Sequence, residues 1–238
     1  MSKLVQKVTT DLYSIQMKWV AWYLPIVYIL YLVVLVFVLE PEIQAMSLLT
    51  FTFQTATIFM LVCGILSSFV FLPIYVKHGV TRKTYFQATI LSSLALVITI
   101  MTITALVTWV FTLFDGSIGI FNNVQLSLLS TADPKWFLTI LSYCIVIFIY
   151  FLAGWLISLG FYRYGAAGGF GCIAAALVFI SVTDLFYNFK TPKPIVGIFP
   201  QVTLTSQIGI AIAFSLLIIA VVIAFVHKIT KDIAIKVE

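Results

Sequence analysis

LPIYVKHGVTRKTYF, residues 72–86, lies between two long apolar runs and carries Lys77, His78, Arg82 and Lys83. The whole chain is 63% hydrophobic and 9% charged, so four basic side chains in one short turn need a reason. An anionic lipid surface is one reason. A docking partner in the cytoplasm is the other.

The flanking runs decide the class. A soluble domain carries about 25% charged residues, and a chain of 238 residues with mean hydropathy +1.18 cannot cover a water-facing surface. The apolar runs are continuous, whereas a membrane β-barrel needs alternating segments of about ten residues. The expected fold is therefore all-α: a polytopic membrane protein in a single transmembrane domain. Six spans are expected, at about 22–39, 47–76, 82–113, 136–160, 165–186 and 208–228. The second and third exceed the roughly 20 residues needed to cross, so they tilt or project, and they meet at the quoted turn. Pro73 is a candidate kink in the second.

The charge distribution sets an expected orientation. Lys3, Lys7, Lys18, Lys77, Arg82, Lys83, Arg163, Lys228, Lys231 and Lys236 fall on one side of the spans, and Lys135, Lys190 and Lys193 on the other. The first side is then cytoplasmic and holds both termini. The net charge of +5 comes from these border residues, so nucleic-acid binding is not expected. Cys63, Cys144 and Cys172 lie inside apolar runs and read as packing residues, with no metal role. The first apolar run does not read as a cleavable signal, because Glu40-Pro41-Glu42 follows it.

Leu4, Val8, Leu12, Ile15 and Trp19 recur at helical spacing, with Lys7, Asp11, Ser14 and Lys18 on another face. The expectation is an amphipathic interfacial helix over 1–20, lying on the inner membrane surface. On the outer side, 114–135 is long enough for a short interfacial helix over 122–130, and Asp133-Pro134 has the form of an N-cap opening the fourth span. The Pro- and Gly-containing stretch 188–207 reads either as a partly inserted hairpin or as a surface loop. In FYRYGAAGG, Gly165 and Gly169, like Ala167 and Gly171, are four apart. That spacing allows close helix contact, within the chain or between two chains.

Within the quoted turn, Gly79 can end one helix in the left-handed conformation and Thr81 can cap the next. Lys77 and His78 suit the end of a helix. Arg82 and Lys83 do not suit the beginning of one, where the dipole disfavours cations by some tenths of a kcal/mol.

At this point the sequence resembles a family. A span ending in LPIYV, then Gly79-Val80-Thr81-Arg82-Lys83-Thr84-Tyr85-Phe86, then another span, is similar to the first cytoplasmic loop of type-2 ABC transporter permeases, the bacterial drug, peptide and lipid exporter class. The motif covers about ten residues; the expected layout covers the chain. The resemblance implies a membrane subunit that docks a separate cytoplasmic ABC ATPase and pairs with a second permease chain. ATP and Mg would be bound by the ATPase, with no cofactor on this chain. It also implies that Lys77, His78, Gly79, Thr81, Arg82, Lys83 and Tyr85 contact the ATPase, with Arg163 and Tyr164 in the second inner loop as further contacts. The family's coupling segment is a distinct short helix, whereas this turn joins two long ones.

Absent motifs agree with a division of labour. There is no G-x-x-x-x-G-K-[ST] to cradle ATP phosphates, no G-x-S-x-G and no H-E-x-x-H. His78 and His227 are the only histidines and have no metal-ligand spacing. Only Asp184 approaches the interior of a span, which argues against proton or sodium coupling. Uncharged polar residues cluster in spans two and three. Most read as interhelical hydrogen bonding; Gln54, Thr57 and Ser68 are candidate substrate-pathway residues. The leading expectation is export of an amphipathic peptide, drug or lipid from a bacterial plasma membrane, with lipid as an added partner and no catalysis by this chain. A scaffold or immunity protein that binds a partner without transport is the alternative. A secondary transporter or channel ranks third.

Overall fold

The computed structural model describes residues 3–37, 47–114, 136–187 and 208–231, and every statement below concerns these. They are helical apart from Ser47, the turn at 78–81 and Tyr187, with no strand. In chain order the elements are α1 (Lys3–Phe37), α2 (Leu48–Leu66), a π-helical turn (Ser67–Phe71), α3 (Leu72–Lys77), α4 (Arg82–Phe114), α5 (Trp136–Phe186) and α6 (Ile208–Lys231). Five helical stretches are long and apolar enough to cross a membrane: α1, the α2–α3 unit, α4, α5 and α6. The expectations for 122–130, Asp133-Pro134 and 188–207 lie outside the described residues.

The N-terminal segment differs from its expected form. Residues 3–20 are not a separate helix but the start of the 35-residue α1. The reason is an unbroken stripe: Val5, Val8, Leu12, Gln16, Val20, Leu24, Val27 and Tyr31 are buried at spacings of three and four. This stripe passes Lys18 and Pro25 without a change of phase, so one face packs on the bundle from end to end. Three tyrosines tie it there. Tyr13 Oη lies 2.9 Å from Thr99 Oγ1, Tyr23 Oη 2.8 Å from Thr55 Oγ1, and Tyr28 Oη 3.1 Å from Thr104 Oγ1. The threonines of α2 and α4 thus form interhelical hydrogen bonds, each worth about 0.6 kcal/mol in a bilayer.

Pro73 acts one turn before its own position. It has no N–H for the carbonyl of Phe69, and its ring crowds that carbonyl. The chain widens into the π-helical turn immediately upstream, where Leu72 N–H donates to the Ser67 carbonyl. The Tyr85 hydroxyl donates to the same carbonyl at 2.5 Å.

α5 is a helical hairpin. Gly165 takes φ 69° and ψ −159°, and the chain reverses there. Phe161 and Phe170 face each other across the corner with ring centroids 6.0 Å apart. At the far end Asp184 acts electrostatically on Tyr150; along a straight helix the pair would be about 50 Å apart. The expected segments 136–160 and 165–186 are the two arms. The first arm is the centre of the bundle: Val146, Ile147, Phe151, Leu152, Trp155, Leu156 and Leu159 are all at most 1% exposed. Its sequence is apolar on every face, as a fully enclosed helix requires. By contrast, α1, α4 and α6 leave apolar faces uncovered, with Trp22 and Phe37 both 78% exposed.

Closest approach occurs where α2 crosses the first arm of α5. A Cβ on Gly64 would stand 2.1 Å from the Phe151 carbonyl oxygen, and one on Gly154 would stand 2.1 Å from that of Leu61. The two glycines let backbone meet backbone. In the hairpin corner, Gly169 packs on Phe161 of the same chain, whereas Gly171 has nothing near it.

Candidate functional site

The turn between α3 and α4 is built by local hydrogen bonds. Gly79 has φ 81°. Gly79 N–H donates to the Val76 carbonyl at 2.9 Å and Val80 N–H to the Tyr75 carbonyl at 3.0 Å. This is a Schellman motif, and its apolar pair, Tyr75 and Val80, is buried. Thr81 Oγ1 then accepts from Thr84 N–H at 3.3 Å and caps α4. His78 Nδ1 lies 2.7 Å from the Ile74 carbonyl; a carbonyl only accepts, so Nδ1 carries the proton. The apex is therefore a fixed shape with Lys77, His78, Gly79 and Thr81 exposed.

The remaining turn residues separate from this apex. Lys83 is exposed and Arg82 half-buried, on the side facing α6. Tyr85 is 0% exposed, so the expected contact between its ring and a partner is corrected. Its hydroxyl bond to Ser67 makes it a brace between α4 and the π-helical turn. Tyr85→Phe keeps the ring and loses that bond, which costs about 1 kcal/mol. A lower unfolding midpoint in detergent is the expected result.

Arg163 and Tyr164 sit at the hairpin corner. Arg163 Nη1 donates to the Ile229 carbonyl at 3.1 Å, and its guanidinium lies 5.0 Å from the Tyr164 ring centroid. Arg163 thus caps the end of α6, a role favoured by the helix dipole, while Tyr164 remains exposed. These contacts bring the turn, the hairpin corner, the start of α1 and the end of α6 to one end of the bundle, where basic residues gather.

The start of α1 is joined to the turn directly. Tyr75 Oη donates to Asp11 Oδ2 at 2.6 Å. Beside this bond opens a cleft of about 1020 Å³, lined by residues that include Lys3, Lys7, Asp11, Phe71 and His78. Asp11 had signalled only a polar face in the sequence; its partner is 64 residues away.

The candidate pathway residues do not share one place. Thr57 is buried and donates to the Gln54 carbonyl at 2.6 Å. Ser68 is buried in the π-helical turn, 14 residues beyond Gln54, or about 20 Å along the helix. Gln54 Nε2 and Ser68 Oγ are buried without a hydrogen-bond partner, as is Gln16 Oε1 on α1, which sequence reasoning missed. Its signal was a glutamine in phase with the buried stripe of α1.

Among the described residues no group of His, Cys, Asp or Glu is placed to hold a metal ion, and Cys63, Cys144 and Cys172 are free thiols. No family model, curated protein or solved structure matches the chain.

Proposed function

We propose that the chain is the membrane subunit of an ATP-driven exporter in a bacterial plasma membrane. It crosses six times, the two arms of α5 counting as separate spans, with both termini cytoplasmic. A separate ABC ATPase, carrying ATP and Mg, docks on the apex at Lys77–Thr81 and beside the start of α1. A second permease chain completes the pathway. The cargo is amphipathic: a peptide, a drug or a lipid.

The observation that carries this reading is the apex itself, exposed, basic and rigidly built between two long helices. A turn fixed at both ends can pass a push from a docked subunit into α2–α3 and α4 together. The Asp11–Tyr75 bond extends the same rigid unit to α1. The resemblance of residues 79–86 to the permease coupling loop supports the same assignment.

The test is Lys77→Glu with His78→Glu, in membranes containing the partner ATPase. Reversing charge at a docking hot spot should lower ATPase stimulation about tenfold or more, with insertion unchanged as judged by protease mapping. Wild-type stimulation and export in a correctly inserted double variant would remove the coupling role.

A further inference from the structure

The cleft beside the Asp11–Tyr75 bond is a groove between two antiparallel helical walls. Asp11 meets Tyr75, and further along α1 the Trp19 ring stacks on Phe71 with centroids 5.9 Å apart. Each wall repeats at helical spacing. Leu4, Val8, Asp11 and Ile15 line the groove from α1, and Phe71, Ile74, Tyr75 and His78 line it from the facing segment. Leu4 to Ile15 spans about 16 Å, or roughly three turns of helix. The hydrogen bond from Tyr75 to Asp11, at 2.6 Å, fixes the spacing of the walls. The groove is therefore formed before anything enters it, which lowers the cost of binding.

Polar and apolar groups are divided across this groove rather than along it. Val8, Phe71 and the Tyr75 ring are buried in its lining, and Leu4 and Ile74, on opposite walls, are 47% and 46% exposed. The α1 rim is polar from end to end, with Lys3, Gln6, Lys7, Thr10 and Ser14. A lipid is polar at one end and apolar at the other, so this division does not suit it. An amphipathic helix lying lengthwise suits it, with one face on the apolar lining and the other along the rim. Charge selects that second face. Among the described residues neither Lys3 nor Lys7 is in an ion pair, and like charges one turn apart on a helix repel. Carboxylates laid beside them remove the repulsion. Asp11, one turn further on, already accepts from Tyr75 and carries the opposite charge. The partner's carboxylates therefore belong at the Lys3–Lys7 end. We propose that the groove docks a short amphipathic helix of a partner protein, with apolar residues on one face and Asp or Glu opposite Lys3 and Lys7. This goes beyond the exporter reading, because the groove takes such a helix from any partner that presents one.

The experiment uses the full chain in phosphatidylcholine nanodiscs and a fluorescent, helix-stapled peptide of about three turns. The probe carries leucine on one face and glutamate on the other, and anisotropy reads its binding against empty nanodiscs. It should bind the wild type saturably. The same peptide with lysine for glutamate, or with its leucines scattered round the helix, should bind about tenfold more weakly or worse. Lys3→Glu with Lys7→Glu should weaken the glutamate peptide about tenfold and strengthen the lysine peptide. A misfolded variant would lose both peptides, so this exchange of preference is the decisive reading. Lys83→Glu with Lys228→Glu makes the same change of charge at two exposed residues outside the groove and should leave affinity within about twofold. No saturable binding to the wild type, equal binding of the two charge forms, or equal loss in the two double variants would overturn the proposal. So would a lipid or a second copy of the chain held by the wild type and lost from the Lys3/Lys7 variant in native mass spectrometry, since that molecule would then be the occupant. No ATPase is present, so failure here and failure of the coupling reading are distinguishable.

Discussion

Gly154→Ala should lower the unfolding midpoint by about 8 °C, the equivalent of ~3 kcal/mol for a chain of this size. Its new Cβ would stand 2.1 Å from the Leu61 carbonyl oxygen and 3.2 Å from the Ile65 nitrogen. Both are backbone atoms of α2, so no side chain can swing aside. The helices must separate, and the contacts along the α2–α5 crossing loosen with them. Alanine gains up to about 1 kcal/mol of helix propensity over glycine, which offsets only part of the loss. Gly64→Ala should cost a similar amount, because its Cβ meets Phe151 and Trp155 backbone from the other side. The double variant should cost less than the sum, since the first separation makes room for the second methyl group. Gly171→Ala is the control: nothing lies within 4 Å of its Cβ, so its midpoint should hold or rise. A Gly154→Ala midpoint equal to wild type would contradict the described crossing.

Gly165→Ala should break the hairpin. At φ 69° and ψ −159° the residue occupies a region open essentially to glycine alone. A side chain there costs about 1–3 kcal/mol, and the chain can escape only by turning the corner differently. The arms on either side would lose register. A chain with its native cysteines replaced by alanine, carrying Phe161→Cys and Phe170→Cys, reads this out. Those rings sit 6.0 Å apart in the folded corner, so a short bifunctional thiol reagent should bridge the two cysteines. Adding Gly165→Ala should reduce crosslinking severalfold. Equal crosslinking with glycine or alanine at 165 would show that the corner does not depend on that conformation.

These effects show what the sequence could and could not reveal. The turn at Lys77–Lys83 was legible because its chemistry is local: Gly79 and Thr81 act on neighbours within five residues. The helical runs were legible from their length and hydropathy. The crossing at Gly64 and Gly154 was not, because each is a lone glycine in an apolar run and its partner is 90 positions away. The small residues around Gly165 stood out instead, yet their spacing did not reveal that Gly165 makes a corner. Tyr85 reads as a partner contact only through the resemblance of residues 79–86. Its phase told otherwise: Tyr85, Ala88, Ser92 and Leu96 share the buried face of α4. The periodicity of residues 4–19 marks a helix but not its end, because the same apolar stripe continues to Tyr31.

In the proposed assembly a separate ATPase docks on the exposed apex. The decisive experiment purifies the full chain from its native membranes in mild detergent and identifies what accompanies it in fixed proportion. A soluble subunit with a P-loop is expected, retained by the wild type and lost from Lys77→Glu with His78→Glu. Repeated recovery of the wild-type chain with no such subunit, under conditions that keep other membrane complexes intact, would contradict it and favour a scaffold or immunity protein.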